Sequence, residues 1–265
     1  MMKAFIEGIG LLGPGLPGWN ASRAILAGTQ PHVAAPMTIP TSDWLPPAER
    51  RRTGVSVRLA LATGREACEQ SQRDPGTLAT VFTSSGGDSD NQHAICETLA
   101  TTAREVSPTR FHNSVHNAPA GYWGVATGAM ASSTSLCAFD WSFGAGLIEA
   151  LTWIACEQQP LLLMAYDAPY PEPLRTVRPV PLPFGMALAL APEPSARSLA
   201  QLTVGFEAAS DRSDPGLPQG LKDLHDAIPA ARSLRLLCAL AREKHAVVPI
   251  DYLNGQQLRA TISPP

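Results

Sequence analysis

Three groups of residues in this chain have types and spacings that chemistry uses. The first is Ser133 to Leu151, which reads as a strand, a sharp turn and a helix opening with the small residues Gly144, Ala145 and Gly146. That is the layout of a nucleophile elbow, where a helix N-terminus offers its dipole and free N–H groups to a nucleophile or an oxyanion. In Asp140-Trp141-Ser142-Phe143-Gly144 the nucleophile would be Ser142. The hydrolase form of the elbow is G-x-S-x-G, and Asp140 stands where its first glycine belongs, with a Cβ that such a turn disfavours. A serine hydrolase would draw a downstream Asp and either His225 or His245 into the site, and no HGGG-like oxyanion loop accompanies them. Cys137 lies within the strand among residues that read as buried, which predicts an inert core thiol.

The second group is His112 and His116, four apart, with Asn113 and Asn117 beside them. A metal pair wants a helix and a third ligand, but Pro108 and Pro119 bracket this stretch, so hydrogen-bonded loop histidines are expected and no metal site. The third is Ser84-Ser85-Gly86-Gly87, a turn between a strand and a helix that could cradle a phosphate. It lacks the lysine of GxxxxGK[ST] and the spacing of GxGxxG, so it is read as a tight connection.

The elements that must position these groups alternate between strand and helix. Apolar alternation and glycine or proline punctuation predict strands at Lys3–Ile9, Leu78–Thr83, Ser133–Phe139, Pro160–Ala165 and Phe184–Ala191. Glycines 8, 10, 13 and 15 are expected to stop the first strand. Helices are predicted over Asn20–Gly28, Pro47–Gln72, Ser89–Ala103 and Phe143–Gln158, with a helix of small residues reaching Met130. An edge strand at Leu199–Glu207, a polar loop, a helix at Ala231–Glu243 and a β pair around Val247–Ile262 complete the chain. This order predicts an α/β layered fold with a largely buried sheet.

Composition narrows the function. In 265 residues there are 20 basic and 23 acidic side chains, a net charge of −3, too near neutral for binding nucleic acid by bulk charge. Only 16% of residues are charged, so much of the surface is expected to be hidden in a core or against a partner. The five scattered cysteines fit reduced thiols, and Glu7 comes too early for the apolar region of a signal peptide; a cytoplasmic protein is expected. No run of about 18 apolar residues exists to span a membrane. From Phe111 to Phe139 there is no formal charge, which reads as packed interior or interface.

Several of these segments together resemble the β-ketoacyl synthases. They are Phe5-Ile6-Glu7-Gly8-Ile9-Gly10, the helix ending Leu26-Ala27-Gly28, the turn at 84–87, Ser107-Pro108-Thr109-Arg110-Phe111, and the strand–turn–helix at 133–158. More closely, Ser114-Val115-His116-Asn117-Ala118, Gly121-Tyr122-Trp123, and Ala165-Tyr166-Asp167-Ala168-Pro169-Tyr170-Pro171-Glu172 are similar to the short chain-length factors of aryl polyene biosynthesis. The likeness covers roughly residues 3 to 195. A condensing synthase carries its acyl-accepting cysteine in a C-x-x-G turn; aligning on Gly144 puts Trp141 at that position, and a shift of one puts Ser142 there. The family's His-Gly-Thr and Gly-His contexts are absent from this sequence.

The resemblance implies half of a thiolase-like fold over 1–198, a mixed five-stranded sheet with helices on both faces, with residues 199–265 as an extension packed on the same domain. It implies no catalytic residue, no cofactor, and a heterodimer with a full-length ketosynthase through which an acyl carrier protein is met. The residues expected at the tunnel wall or partner interface are Phe111, Asn113, His116, Asn117, Tyr122, Trp123, Asp140, Trp141 and Phe143. Two other readings stay open: the Ser142 hydrolase, and a structural assembly subunit.

Overall fold

The computed structural model describes residues 1–208, 216–243, 245–253 and 255–265. In chain order the elements are Met2–Leu12 (β1), Trp19–Ala27 (α1), Pro47–Arg50 (α2), Val55–Ser71 (α3), Ala79–Thr83 (β2), Ser89–Ala100 (α4), Pro108–His112 (α5) and Ala118–Thr127 (α6). Ser133–Leu136 (β3), Ser142–Glu157 (α7), Leu161–Asp167 (β4), Leu174–Val177 (α8), Phe184–Ala191 (β5) and Ala200–Ala208 (β6) follow. Lys222–Ala227 (α9), Leu234–Ala241 (α10), Ala246–Asp251 (β7) and Gln256–Ser263 (β8) finish the chain.

One mixed sheet of eight strands runs β3-β2-β4-β5-β1-β6-β8-β7. β2 is parallel to both β3 and β4, and the other pairings are antiparallel. The five strands expected from the sequence are the first five in this order. β6, β8 and β7 extend the same sheet, joined through Met2–Ile6 of β1 against Ala200–Val204 of β6. Residues 199–265 therefore prolong the sheet edge to edge; the expected count of five omitted strands that hydrogen-bond to the first.

Helices cover both faces, and β4 shows why the sequence looks continuously apolar there. Leu161, Leu163 and Ala165 point into one core with Leu147, Leu151 and Ile154 of α7 and Leu236 and Leu237 of α10. Leu162, Met164 and Tyr166 point into a second core with Leu59 and Leu61 of α3 and Tyr122 and Trp123 of α6. With period-two side chains and both faces covered, every position is buried.

Gly8 and Gly10 do not stop β1. A Cβ on either would fall on the backbone carbonyl of Ala67 or Thr63, so these glycines let α3 lie directly on the strand. The Glu66 carboxylate of α3 accepts from Leu11 N–H (2.8 Å) and Trp19 N–H (2.6 Å), fixing the strand's end to the start of α1. The helix expected over 47–72 is two helices, α2 and α3, separated at Arg51–Gly54. The helix expected over 231–243 opens as a 3-10 turn at Pro229–Ser233 before α10. The polar loop expected after Glu207 falls largely on residues 209–215, outside the described residues. Among the described residues no helix is long and apolar enough to cross a membrane.

Candidate functional site

β3 ends at Leu136, and the chain turns through a 3-10 segment, Phe139–Trp141, into α7. The turn is made by Phe139, whose φ of 53° lies in the left-handed region that a side chain disfavours. Ser142 secures it: its Oγ donates to Phe139 O (2.7 Å) and accepts from Ala138 N–H (3.1 Å). Thr83 Oγ1 at the end of β2 donates to Ser142 O (2.7 Å), tying the helix start to the sheet. The hydroxyl expected as a hydrolase nucleophile is thus bonded within its own turn and buried. His225 bonds Asp226 (2.9 Å) and His245 is exposed; neither bonds to Ser142, so the triad is not assembled.

Around this turn lies a charged lock. The Arg178 guanidinium sits 3.6 Å from the centroid of the Phe139 ring, a cation–π contact, and pairs with Asp140 (2.8 Å). Asp140 also meets Arg232 (3.3 Å), which reaches Asp251 (3.4 Å) in β7. Beneath the turn, Asp167 at the end of β4 is 1% exposed. It accepts from Ser85 N–H (2.8 Å), Ser85 Oγ (2.7 Å), Ser84 Oγ (3.3 Å) and Ala230 N–H (2.8 Å). Burial pushes its carboxyl upward, against those four bonds, which favour the charged form. The Ser84-Ser85-Gly86-Gly87 turn is therefore a bracket for Asp167. Gly86 has a second reason: a Cβ there would strike the Tyr170 hydroxyl.

Cys137 is exposed, and its Sγ donates to Ser85 O (3.1 Å). The expectation of a core thiol within the strand fails because Cys137 lies just past Leu136, the last residue of the end strand β3. Trp141, the position aligned with the family's cysteine, is half-buried. The turn itself, 138–142, carries no thiol and no imidazole.

The other expected site residues divide into two sets. Asn113, Tyr122, Trp123 and Phe143 are buried within this chain. Asn113 donates to Arg52 O (2.8 Å) and accepts from Tyr122 Oη (3.1 Å). Trp123 packs edge-on to Trp44 (6.0 Å), and Phe143 joins the core under α7. α6 is apolar all round, so sequence periodicity does not reveal which face turns inward.

The second set is at the surface. Phe111 and Asn117 are exposed, and His116 and Asp140 are half-buried. His116 and Asn117 line an open groove of about 640 Å³ with Ala120 and Gly121 of α6 and Ser133, Ser135 and Cys137 along β3. The uncharged stretch 111–139 is not interior as a whole: Phe111 is 71% exposed, Val125 56% and Met130 95%. One edge of β3 pairs with β2, and its other edge has no strand partner among the described residues. No local pattern marks Arg178 or Arg232 as site residues, and Asp167 stood only within a motif. A lone carboxylate closing the run Leu161–Tyr166 was the available signal.

Comparison with known proteins follows this geometry. Residues 23–249 match the family model for the beta-ketoacyl synthase N-terminal domain. A chain in the structure of the ketosynthase ApeO with its chain length factor ApeC, from Xenorhabdus doucetiae, is 24% identical, with a TM-score of 0.75 over 98% of this chain and 100% of that one. A chain in the complex of the type II polyketide synthase acyl-carrier protein AntF with its ketosynthase AntDE has a TM-score of 0.73 at 10% identity, covering 100% and 99%. The ishigamide ketosynthase/chain length factor gives 0.68 at 12% identity, covering 100% and 99%. These likenesses establish the thiolase-like ketosynthase fold. A search of curated proteins found no match.

Proposed function

The chain belongs to the family of β-ketoacyl synthase N-terminal domains, and from that premise we propose that it is a non-catalytic chain-length factor. In this reading it pairs with a full-length ketosynthase and forms part of the wall of the tunnel in which an acyl or polyene chain grows. The observation that carries the reading is the state of the elbow. Its left-handed residue is a phenylalanine under an arginine, and its one hydroxyl is bound to its own backbone. A condensing enzyme needs a nucleophile and an acid–base group within reach of each other there, and residues 138–142 hold no thiol and no imidazole, with Ser142 and Asp140 both bonded within the chain.

The partner's proposed place is supported by what the fold leaves uncovered. The free edge of β3 can accept a strand, and the uncharged face around Phe111, Val125 and Met130 can bury against another chain. The groove between α6 and β3 opens beside that face. Closed by a partner, it becomes a cavity whose size sets how long a chain fits. The proposed product class is aryl polyene, as suggested by the motifs at 114–123 and 165–172 and by the likeness to the ApeO–ApeC structure. Carrier protein is then met through the ketosynthase.

The experiment is intact-mass spectrometry of the complex with its ketosynthase after exposure to an acyl-carrier thioester. The ketosynthase should carry an acyl adduct, and this chain should carry none on residues 138–144. A stable adduct within that turn would overturn the reading.

A further inference from the structure

The starts of α3 and α4 and the helix α5 meet at a cleft of about 400 Å³ that neither the elbow nor the groove uses. Four arginines line it: Arg51 and Arg52 ahead of α3, Arg58 near the start of α3, and Arg110 of α5. Two carboxylates, Asp88 and Asp90, face them from the start of α4. On a chain of net charge −3 this is a local excess of positive charge. Arg52 is paired with Glu49 (3.0 Å). The guanidinium groups of Arg51, Arg58 and Arg110 have no hydrogen bond or ion pair among the described residues, and the Arg58 Nε is buried without an acceptor. Asp88 feels the charges of Arg110 and Arg58 but serves as the cap of α4, accepting from Asn91 N–H (3.1 Å). Burial pushes its carboxyl upward, toward the neutral form that competes least for an arginine.

The arginines are held from behind. Asn113, 7% exposed, donates to Arg52 O (2.8 Å), and Asn91, 8% exposed, donates to Arg110 O (2.8 Å). Ser56 Oγ donates to Gly87 O (3.0 Å), fixing α3 against the turn before α4. Buried polar side chains thus set the backbone of the cleft before any ligand arrives, which lowers the ordering cost of binding. A guanidinium offers a planar fork of donors that matches phosphate oxygens. Ser107 and Thr109 add hydroxyls, and Val55 is the one apolar side chain of the lining. A docked protein segment gains most of its affinity from apolar and aromatic anchors, so this lining suits a small polar anion better. At ~30 Å³ for each water-sized unit, the volume admits a phosphate with a small polar substituent.

We propose that this cleft binds a phosphate group, free or as a small polar ester, a ligand role beyond the chain-length reading and independent of it. Arg58 of α3 and Arg110 of α5 donate to the phosphate oxygens, and Arg51 and Arg52 add charge around them.

Calorimetric titration of the complex with its ketosynthase, or of this chain alone should the two not pair, tests the site. The probes are inorganic phosphate, glycerol 1-phosphate, acetate and hexaglutamate. Inorganic phosphate should bind saturably, more weakly as salt is added, and roughly tenfold tighter than acetate. Arg58→Gln and Arg110→Gln should each weaken phosphate roughly tenfold. Arg110 is exposed and its side chain bonds nothing among the described residues, so its variant reads binding even where Arg58→Gln unsettles α3. Glycerol 1-phosphate bound more tightly than inorganic phosphate assigns an ester; the reverse assigns the free ion. No saturable phosphate binding, acetate bound as tightly, or phosphate affinity unchanged in both variants would each overturn the proposal. Hexaglutamate bound more tightly than either phosphate, and lost in the same variants, would overturn it in favour of an acidic protein segment. Binding is read on this chain's own arginines, so its failure leaves the chain-length reading untouched, and failure of that reading leaves this site standing.

Discussion

The elbow at 138–142 and the face formed by α5, α6 and β3 lie next to each other in sequence and in space, yet they are finished in opposite ways. At the elbow every strong polar group has a partner inside the chain: Ser142 its own turn, Asp140 two arginines, Asp167 four donors. On the neighbouring face, Phe111, Val125 and Met130 stand in solvent, one edge of β3 has no strand partner among the described residues, and no charge lies between residues 111 and 139. The turn is a structural joint, bonded within the chain. The apolar surface left in solvent lies beside it, on α5, α6 and the segment after α6. Locating function here means asking which region is incomplete on its own.

The largest effect expected from disturbing this contrast is on the uncharged face. Val125→Asp together with Met130→Lys should abolish co-purification with the ketosynthase, since each would bury an unpaired charge against the partner. Folding stability should change by less than ~0.5 kcal/mol per substitution, as for ordinary surface positions. Retained pairing would mean this face is not the interface. At the elbow the order of effects reverses. Asp167→Ala leaves Ser85 N–H and Ala230 N–H buried without an acceptor and should cost roughly 3–5 kcal/mol in denaturant unfolding. A loss below ~1 kcal/mol would contradict its role as the bracket.

Arg178→Ala sharpens the comparison further. It removes the cation over Phe139 and one partner of Asp140, both partly solvated, so about 1–2 kcal/mol is expected, with pairing to the ketosynthase intact. Thermal melts and co-purification of the same variant separate the two. The smallest effect is with pH. Burial holds the His225 imidazole below its ordinary 6.5, opposed in part by Asp226. A depressed folded value means the unfolded chain binds more protons as pH falls. Stability from this group is thus full above pH 6.5 and declines below it, through the folded value. His225→Gln should flatten that part of the stability profile.

The sequence carried the places of the strands along the ketosynthase-like part and the position of the elbow, because both rest on local signals: apolar runs, small residues and turn chemistry. It misjudged what depends on the second dimension of the sheet. Gly8 and Gly10 read as breakers along the chain and are contact points across it, where α3 lies on β1. Cys137 read as buried within a strand, but the strand ends at Leu136 and the thiol stands exposed just beyond the sheet's edge. Absence of charge has the same signature in an interior and at an interface, so Tyr122 and Trp123 could not be told from Phe111 by composition. The lock of Arg178 and Arg232 on Asp140 joins residues 38 and 92 positions apart, which no local pattern encodes.

The central claim is that the groove between α6 and β3 meters chain length by volume alone. Gly121 is where this can be tested most directly, because a Cβ added there meets nothing within 4 Å of this chain. In the complex of Gly121→Trp with its ketosynthase, mass spectrometry of the products should give shorter chains than the unaltered complex, with pairing and melting temperature unchanged. An unchanged distribution of product lengths from an intact complex would contradict the account.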